Sequence, residues 1–146
     1  MSLLTKNFRC TAVDPDGKQF DDVSRIKATT DEGDYELVLD YNCFIYEIKL
    51  DQLFQLNIST QLHSDEASRA EEHWHPSIVE NSTLAASYEY IMHGKVYNYE
   101  EQPETNRATV YVSYGGLLMS LTGDRNTIAG IQRGKEVYLL ISRKSK

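Results

Sequence analysis

The sequence predicts an all-β protein, on three observations. Residues 35–62 alternate apolar and polar with a period of two over most of their length, the pattern of half-buried strands. Turn chemistry recurs along the chain at Asp14-Pro15-Asp16-Gly17, Asp31-Glu32-Gly33-Asp34, Gly115-Gly116 and Gly123-Asp124. Ten Tyr and four Phe, with many Val and Ile, favour strands over helices. About eight short strands so punctuated make a sandwich or a closed barrel. A long excursion between two strand groups and Gly-marked bends lean towards an antiparallel Greek-key barrel of the OB type. The expected organisation is one OB-like domain over residues 1–146, with a long irregular acidic loop at about 63–87.

The first strand is expected over Lys6–Val13, with Phe8, Cys10 and Ala12 on one side. Asp14-Pro15-Asp16-Gly17 follows as a turn: Pro presets φ, Asp caps and Gly takes a positive φ. A calcium loop is rejected there, because Lys18 stands where an oxygen ligand is needed and Val23 where the bidentate Glu belongs. Phe20–Thr29 is read as the second strand, although Phe20, Val23 and Ile26 are three apart. Tyr35, Leu37 and Leu39 share one face of the next strand. Phe44, Tyr46, Ile48 and Leu50 form another alternating run, and Phe54, Leu56, Ile58, Thr60 and Leu62 a third.

The stretch His63–Ser87 breaks the pattern. It carries Asp65, Glu66, Glu71, Glu72 and Glu80 with little apolar period, and Ser64–Glu72 could form a short helical turn. Strands resume over Tyr88–Tyr99, with His93-Gly94 read as a bulge or sharp bend. Glu100–Thr105 is an acidic turn around Pro103. A hairpin about Gly115-Gly116 then sets Tyr114 opposite Leu117, Val112 opposite Met119 and Val110 opposite Leu121, all on one face. Leu118 alone breaks the pattern, an apolar residue on the outward face and so a candidate contact. A loose segment to Gly134 and a final strand through Val137, Leu139 and Ile141 close the domain.

Composition narrows the function. Apolar content of 40% and charged content of 25% are ordinary for a globular protein. No run approaches the ~18 apolar residues that span a membrane, and the N-terminus lacks the features of a secretory signal. An intracellular protein is expected, in which Asn57-Ile58-Ser59 and Asn81-Ser82-Thr83 are chance glycosylation triplets. Cys10 and Cys43 have no CxxC spacing and read as free thiols. A net charge of −7 opposes tight stand-alone binding to a polyanion and suits docking against a basic partner.

Catalytic signatures are missing: there is no GxSxG, P-loop or dinucleotide fingerprint, and the carboxylates sit in turns and in the long loop. His73-Trp74-His75 is the most metal-like element, but zinc needs three or four ligands on a rigid frame, and no Cys or second His pair supports it. The best nucleic-acid grouping is Lys18, Phe20, Arg25, Lys27 and Tyr35, basic and aromatic side chains within one short span. Outward Tyr111, Leu118 and Tyr138 beside a rigid hairpin suit a module that buries a face on a partner.

Several blocks resemble one family. Val13-Asp14-Pro15-Asp16-Gly17-Lys18 with Phe20-Asp21 and Val23-Ser24-Arg25 is similar to its N-terminal motif. Tyr90-Ile91-Met92-His93-Gly94-Lys95-Val96-Tyr97 is similar to its central strand, and Tyr111-Val112-Ser113-Tyr114-Gly115-Gly116-Leu117-Leu118-Met119 with Val137-Tyr138-Leu139-Leu140 completes the set in order. These resemble the common small subunit of the nuclear DNA-directed RNA polymerases I, II and III, the eighth-largest in polymerase II.

The resemblance implies an eight-stranded OB-like barrel in the nucleus and nucleolus, docked on the largest subunit near the pore and funnel. It implies no catalytic residues and no cofactor of its own, since magnesium and zinc belong to other subunits. It also implies weak, non-specific single-stranded DNA binding through about Asp16–Leu39, with Asp16, Gly17, Lys18, Phe20, Arg25, Lys27 and Tyr35 as candidates. Tyr111, Tyr114, Gly115, Gly116, Leu118 and Tyr138 are the candidate subunit interface. The rivals are an independent single-strand-binding protein and a hydrolase housed in the long loop.

Overall fold

Alternating sequence becomes eight strands among the described residues, which in this computed structural model are 2–18, 20–60 and 87–144. They are β1 (Ser2–Val13), β2 (Val23–Thr29), β3 (Glu36–Asn42), β4 (Leu53–Ser59), β5 (Tyr90–Gln102), β6 (Arg107–Tyr114), β7 (Leu117–Asp124) and β8 (Glu136–Lys144). All pairings are antiparallel. They close a barrel in the order β1-β2-β3-β7-β6-β5-β8-β4, with β4 back against β1. Closure satisfies the backbone donors and acceptors that an open sheet would leave at its edges.

The two longest strands provide the stagger that closure needs. β1 pairs with β4 through Ser2–Arg9 and with β2 through Arg9–Val13. β5 pairs with β8 through Tyr90–Lys95 and with β6 through Lys95–Gln102. Each carries a register shift just past the changeover, between Cys10 and Ala12 and between Val96 and Asn98. The interior is filled by one face of every strand: Phe8, Ile26, Leu39, Leu56, Val110 and Leu139 are fully buried. Phe8 stacks on its register partner Phe54 at 5.9 Å. Each such side chain contributes about 1.5–3 kcal/mol of burial free energy.

The Gly115-Gly116 hairpin forms with the expected register, Tyr114 opposite Leu117, Val112 opposite Met119 and Val110 opposite Leu121. Gly115 at φ +65° and Gly116 at φ +100° supply its turn.

Four expectations are corrected. The run Phe44–Leu50 is not a strand: alternation would put Phe44, Tyr46, Ile48 and Leu50 on one face, yet only Tyr46 and Ile48 are buried while Phe44 and Leu50 are exposed, and the neighbouring strands are already partnered on both sides. Turn and side-chain contacts hold this segment instead, with the Tyr46 N–H donating to the Asn42 carbonyl at 3.2 Å, the Ile48 N–H to the Tyr41 hydroxyl at 3.1 Å, and Tyr46 stacked on Tyr90 at 5.2 Å. β2 begins at Val23, and Phe20 makes only an isolated bridge to it.

His93-Gly94 is not a bulge. Gly94 lies in regular register opposite Val137, and a Cβ there would strike the Ser113 carbonyl oxygen and come within 2.6 Å of the Tyr114 ring. Gly123-Asp124 is likewise no free turn. Gly123 lies in β7 because the Tyr35 ring packs on its Cα face, and Asp124 caps a short helix, α1 (Arg125–Ile128), accepting the Thr127 N–H at 3.1 Å. Residues 63–86 of the predicted loop, His73-Trp74-His75 included, lie outside the described residues.

Candidate functional site

Two turns from opposite ends of the sequence meet at one mouth of the barrel. The first is Asp14–Gly17. Asp14 sits at φ +46°, a conformation its short polar side chain tolerates. Its carboxylate accepts the Arg25 N–H and the Ser24 hydroxyl, both at 3.0 Å, while its own N–H donates to the Arg25 carbonyl at 2.7 Å. The Gly17 N–H closes the turn on the Asp14 carbonyl at 3.0 Å. The second is Gly115-Gly116, where the Gly116 N–H donates to the Ser113 hydroxyl at 3.2 Å.

A groove of about 400 Å³ lies between them. Phe20, Val23 and Leu117 give it apolar walls, and Arg25 and Asp40 a charged lining. Arg25 and Asp40 are direct partners across β2 and β3. The Arg25 Nε donates to Asp40 Oδ1 at 2.6 Å and a terminal nitrogen to Oδ2 at 3.1 Å. That carboxylate holds the guanidinium above its already high ordinary pKa. Asp40 Oδ2 also accepts the Leu118 N–H at 3.2 Å, just beyond Leu39–Met119, the last pair of the β3–β7 ladder. Three carboxylates, Asp14, Asp16 and Asp40, thus line the groove with a single guanidinium.

Most of the predicted DNA-binding group gathers here. Asp16, Gly17, Phe20 and Arg25 line the groove, and Phe20 is 68% exposed. Lys18 is exposed beside it, its pKa held up by the Cys43 side chain. Lys27 is exposed on β2 but is not part of the lining. Tyr35 corrects the prediction. It is 3% exposed, packed on Gly123 with the Lys6 ammonium 5.0 Å above its ring, so it offers no stacking surface.

The predicted interface group divides. Gly115 and Gly116 line the groove, and Leu118 stands outward at 40% exposure. Tyr111 is half-buried on the outer face, 6.1 Å from the Tyr97 ring. Tyr114 and Tyr138 are corrections. Tyr114 is buried, and that burial drives its phenol pKa far up. Its hydroxyl reaches the Met119 sulfur at 3.9 Å. Tyr138 points out of the barrel yet is buried in a second apolar cluster with Leu140, Tyr88 and Ile91, its ring 4.9 Å from His93.

Asp40 was missed: the sequence reading gave it no role. The signal was present: a hairpin centred on Asp31-Glu32-Gly33-Asp34 puts Arg25 opposite Asp40. Cys10 and Cys43 are free thiols. Among the described residues no group of three or more His, Cys, Asp or Glu could hold a metal ion.

Comparison with known proteins gives a consistent result. The family model described as RNA polymerase Rpb8 matches residues 5–143. A protein of Dictyostelium discoideum named DNA-directed RNA polymerases I, II, and III subunit rpabc3 is 30% identical over 141 residues, 97% of this chain and 96% of its own length. The RPABC3 subunit of RNA polymerases I, II, and III from Schizosaccharomyces pombe is 35% identical, with the same coverage of each chain. An Arabidopsis thaliana protein named DNA-directed RNA polymerases II, IV and V subunit 8B is 37% identical over 88% of this chain and 87% of its own.

Proposed function

Because this chain belongs to the RNA polymerase Rpb8 family, we propose that it is a structural and assembly subunit shared by RNA polymerases I, II and III. It works in the nucleus, the nucleolus included, and supports transcription by docking on other polymerase subunits, chiefly the largest. It carries no catalytic residue of its own, and RNA synthesis resides elsewhere in the complex. The observation that carries this reading is the near-full-length similarity to subunits named for those polymerases.

The barrel supports it physically. Both turns at the groove are braced by hydrogen bonds, so little conformational freedom is lost on docking. The test is affinity purification of the tagged chain from cells: the largest subunits of all three polymerases should be recovered with it. Recovery of the chain alone would overturn the proposal.

A second reading, weak binding of single-stranded DNA, is favoured by the exposed Phe20, Lys18 and Lys27. Reversing the charge of Lys18 and Lys27 should then abolish retention on a single-stranded oligonucleotide at low salt while sparing assembly. Unchanged retention would remove this reading.

A further inference from the structure

We propose that the groove between Asp14–Gly17 and Gly115-Gly116 takes an extended segment of another polymerase subunit bearing an arginine or lysine next to an apolar residue. This rests on the reading of the chain as a polymerase subunit and names the chemistry of what one face receives.

Charge is the first argument. Arg25 is committed to Asp40, so the lining, with Asp14, Asp16 and Asp40 against one guanidinium, keeps a net negative charge that Lys18 beside it, coupled to Asp14, offsets only in part. Asp14 spends its oxygens on Ser24 and the Arg25 N–H, whereas Asp16 is exposed and carries no hydrogen bond or ion pair among the described residues. A phosphate backbone entering here would meet like charge, and single-strand grooves are built the opposite way, with a basic track beneath stacking aromatics. A cationic side chain would meet Asp16 at the lip.

Apolar surface is the second argument. Phe20 stands exposed at the groove, and Phe44 and Ile45 are exposed on a neighbouring loop. That loop is tied to the Phe20 segment by the Cys43 N–H, which donates to the Asp22 carbonyl at 2.9 Å. Large apolar residues grouped beside a cavity mark an interaction surface, unlike the single exposed residues common on any protein. The third argument is access. A Cβ added to Gly17, Gly115 or Gly116 would meet nothing within 4 Å, so both lips leave open space for an incoming backbone.

The test places a photo-reactive p-benzoylphenylalanine at position 20 of the tagged chain, in polymerase assembled and purified from cells. The cross-linked peptide is identified by mass spectrometry. The expected product is a segment of another subunit with Arg or Lys within a few residues of the cross-link. In a second sample carrying Asp16→Lys as well, its yield should fall by about tenfold, because like charges then face one another. Cross-links to nucleic acid, to a segment without a basic residue, or to nothing in a chain that still co-purifies with polymerase would overturn the groove assignment alone. Failure of the unmodified tagged chain to bring down polymerase would instead overturn the subunit reading beneath it.

Discussion

Asp40 accepts the backbone N–H of Leu118 at 3.2 Å with the same carboxylate that holds the Arg25 guanidinium. One side chain therefore ties β2, β3 and β7 together where the regular β3–β7 ladder has run out. It fixes the angle at which the Gly-Gly turn and the outward Leu118 are presented. Position and stability at this mouth of the barrel depend on a residue that makes no turn and fills no core.

Asp40→Ala should destabilise the barrel by about 1–3 kcal/mol in urea denaturation, the Leu118 N–H losing its acceptor and Arg25 its partner. The half-exposed Arg25 side chain keeps the value in that range, since water can replace part of what it loses. Asp40→Asn retains an acceptor for Leu118 and should cost less than Asp40→Ala.

Leu118→Asp should lower the stability of the isolated chain by no more than about 1 kcal/mol, because the side chain is substantially exposed and water screens its charge from Asp40. Recovery of other polymerase subunits with the tagged variant should drop severely. Leu118→Ser, which adds no charge beside Asp40, should show an intermediate loss. Normal incorporation of Leu118→Asp into purified polymerase would remove Leu118 from the interface.

The glycines should rank by the physical demand on each. Gly94→Ala drives a methyl into the Ser113 carbonyl and the buried Tyr114 ring and should cost about 3 kcal/mol. Gly116→Ala meets no atom but must hold φ near +100°, for about 1–2 kcal/mol. Gly115→Asn, at φ +65°, should be tolerated, because Asn visits that region readily. Equilibrium unfolding of the three variants gives the order directly.

Acid should weaken the clasp around Glu89. Its carboxylate accepts the Tyr46 hydroxyl at 2.6 Å and the Arg143 N–H and Nε at 2.9 and 3.2 Å. The Tyr46 hydrogen bond first, and then the Arg143 N–H, hold its pKa below the ordinary carboxylate value. The folded state therefore binds this proton less readily than the unfolded chain. The stabilisation is present above the unfolded value of about 4.3 and is lost as pH falls through the lower folded value. The stability gap between wild type and Glu89→Gln should close as pH drops from about 5 to about 3, read by urea denaturation at each pH.

Alkali should act through Tyr114. Burial raises its phenol pKa, so the folded state holds the proton that the unfolded chain releases near pH ~10. This stabilisation is complete below that value and is lost as pH rises above it. Ionised-tyrosine absorbance should therefore show a late, cooperative step coincident with loss of the far-ultraviolet β signal. In Tyr114→Phe that step should shrink.

Local chemistry made much of this fold legible. Gly115-Gly116 between two β-prone runs specifies its own turn and, through it, the pairing of Val110–Tyr114 with Leu117–Leu121. Parity had already placed Tyr35 with Leu37 and Leu39 and Tyr114 with Val112, so their burial was readable even where they were offered as contact residues. Tyr138 was not readable in this way. It falls on the outer face by parity and is buried there in a cluster with Leu140, Tyr88 and Ile91.

The sequence by itself determined the β class, the central hairpin with its register, and the faces that must turn inward, since each follows from neighbours two to a few residues apart. Tertiary structure alone decided that Phe44–Leu50 stays out of the sheet, that Gly94 and Gly123 are sites of close approach, and that the Asp14–Gly17 and Gly115-Gly116 turns share one groove. Those outcomes depend on which strands become neighbours when the barrel closes. That is set by the stagger of β1 and β5 around the whole ring, a property that no local stretch of chain contains.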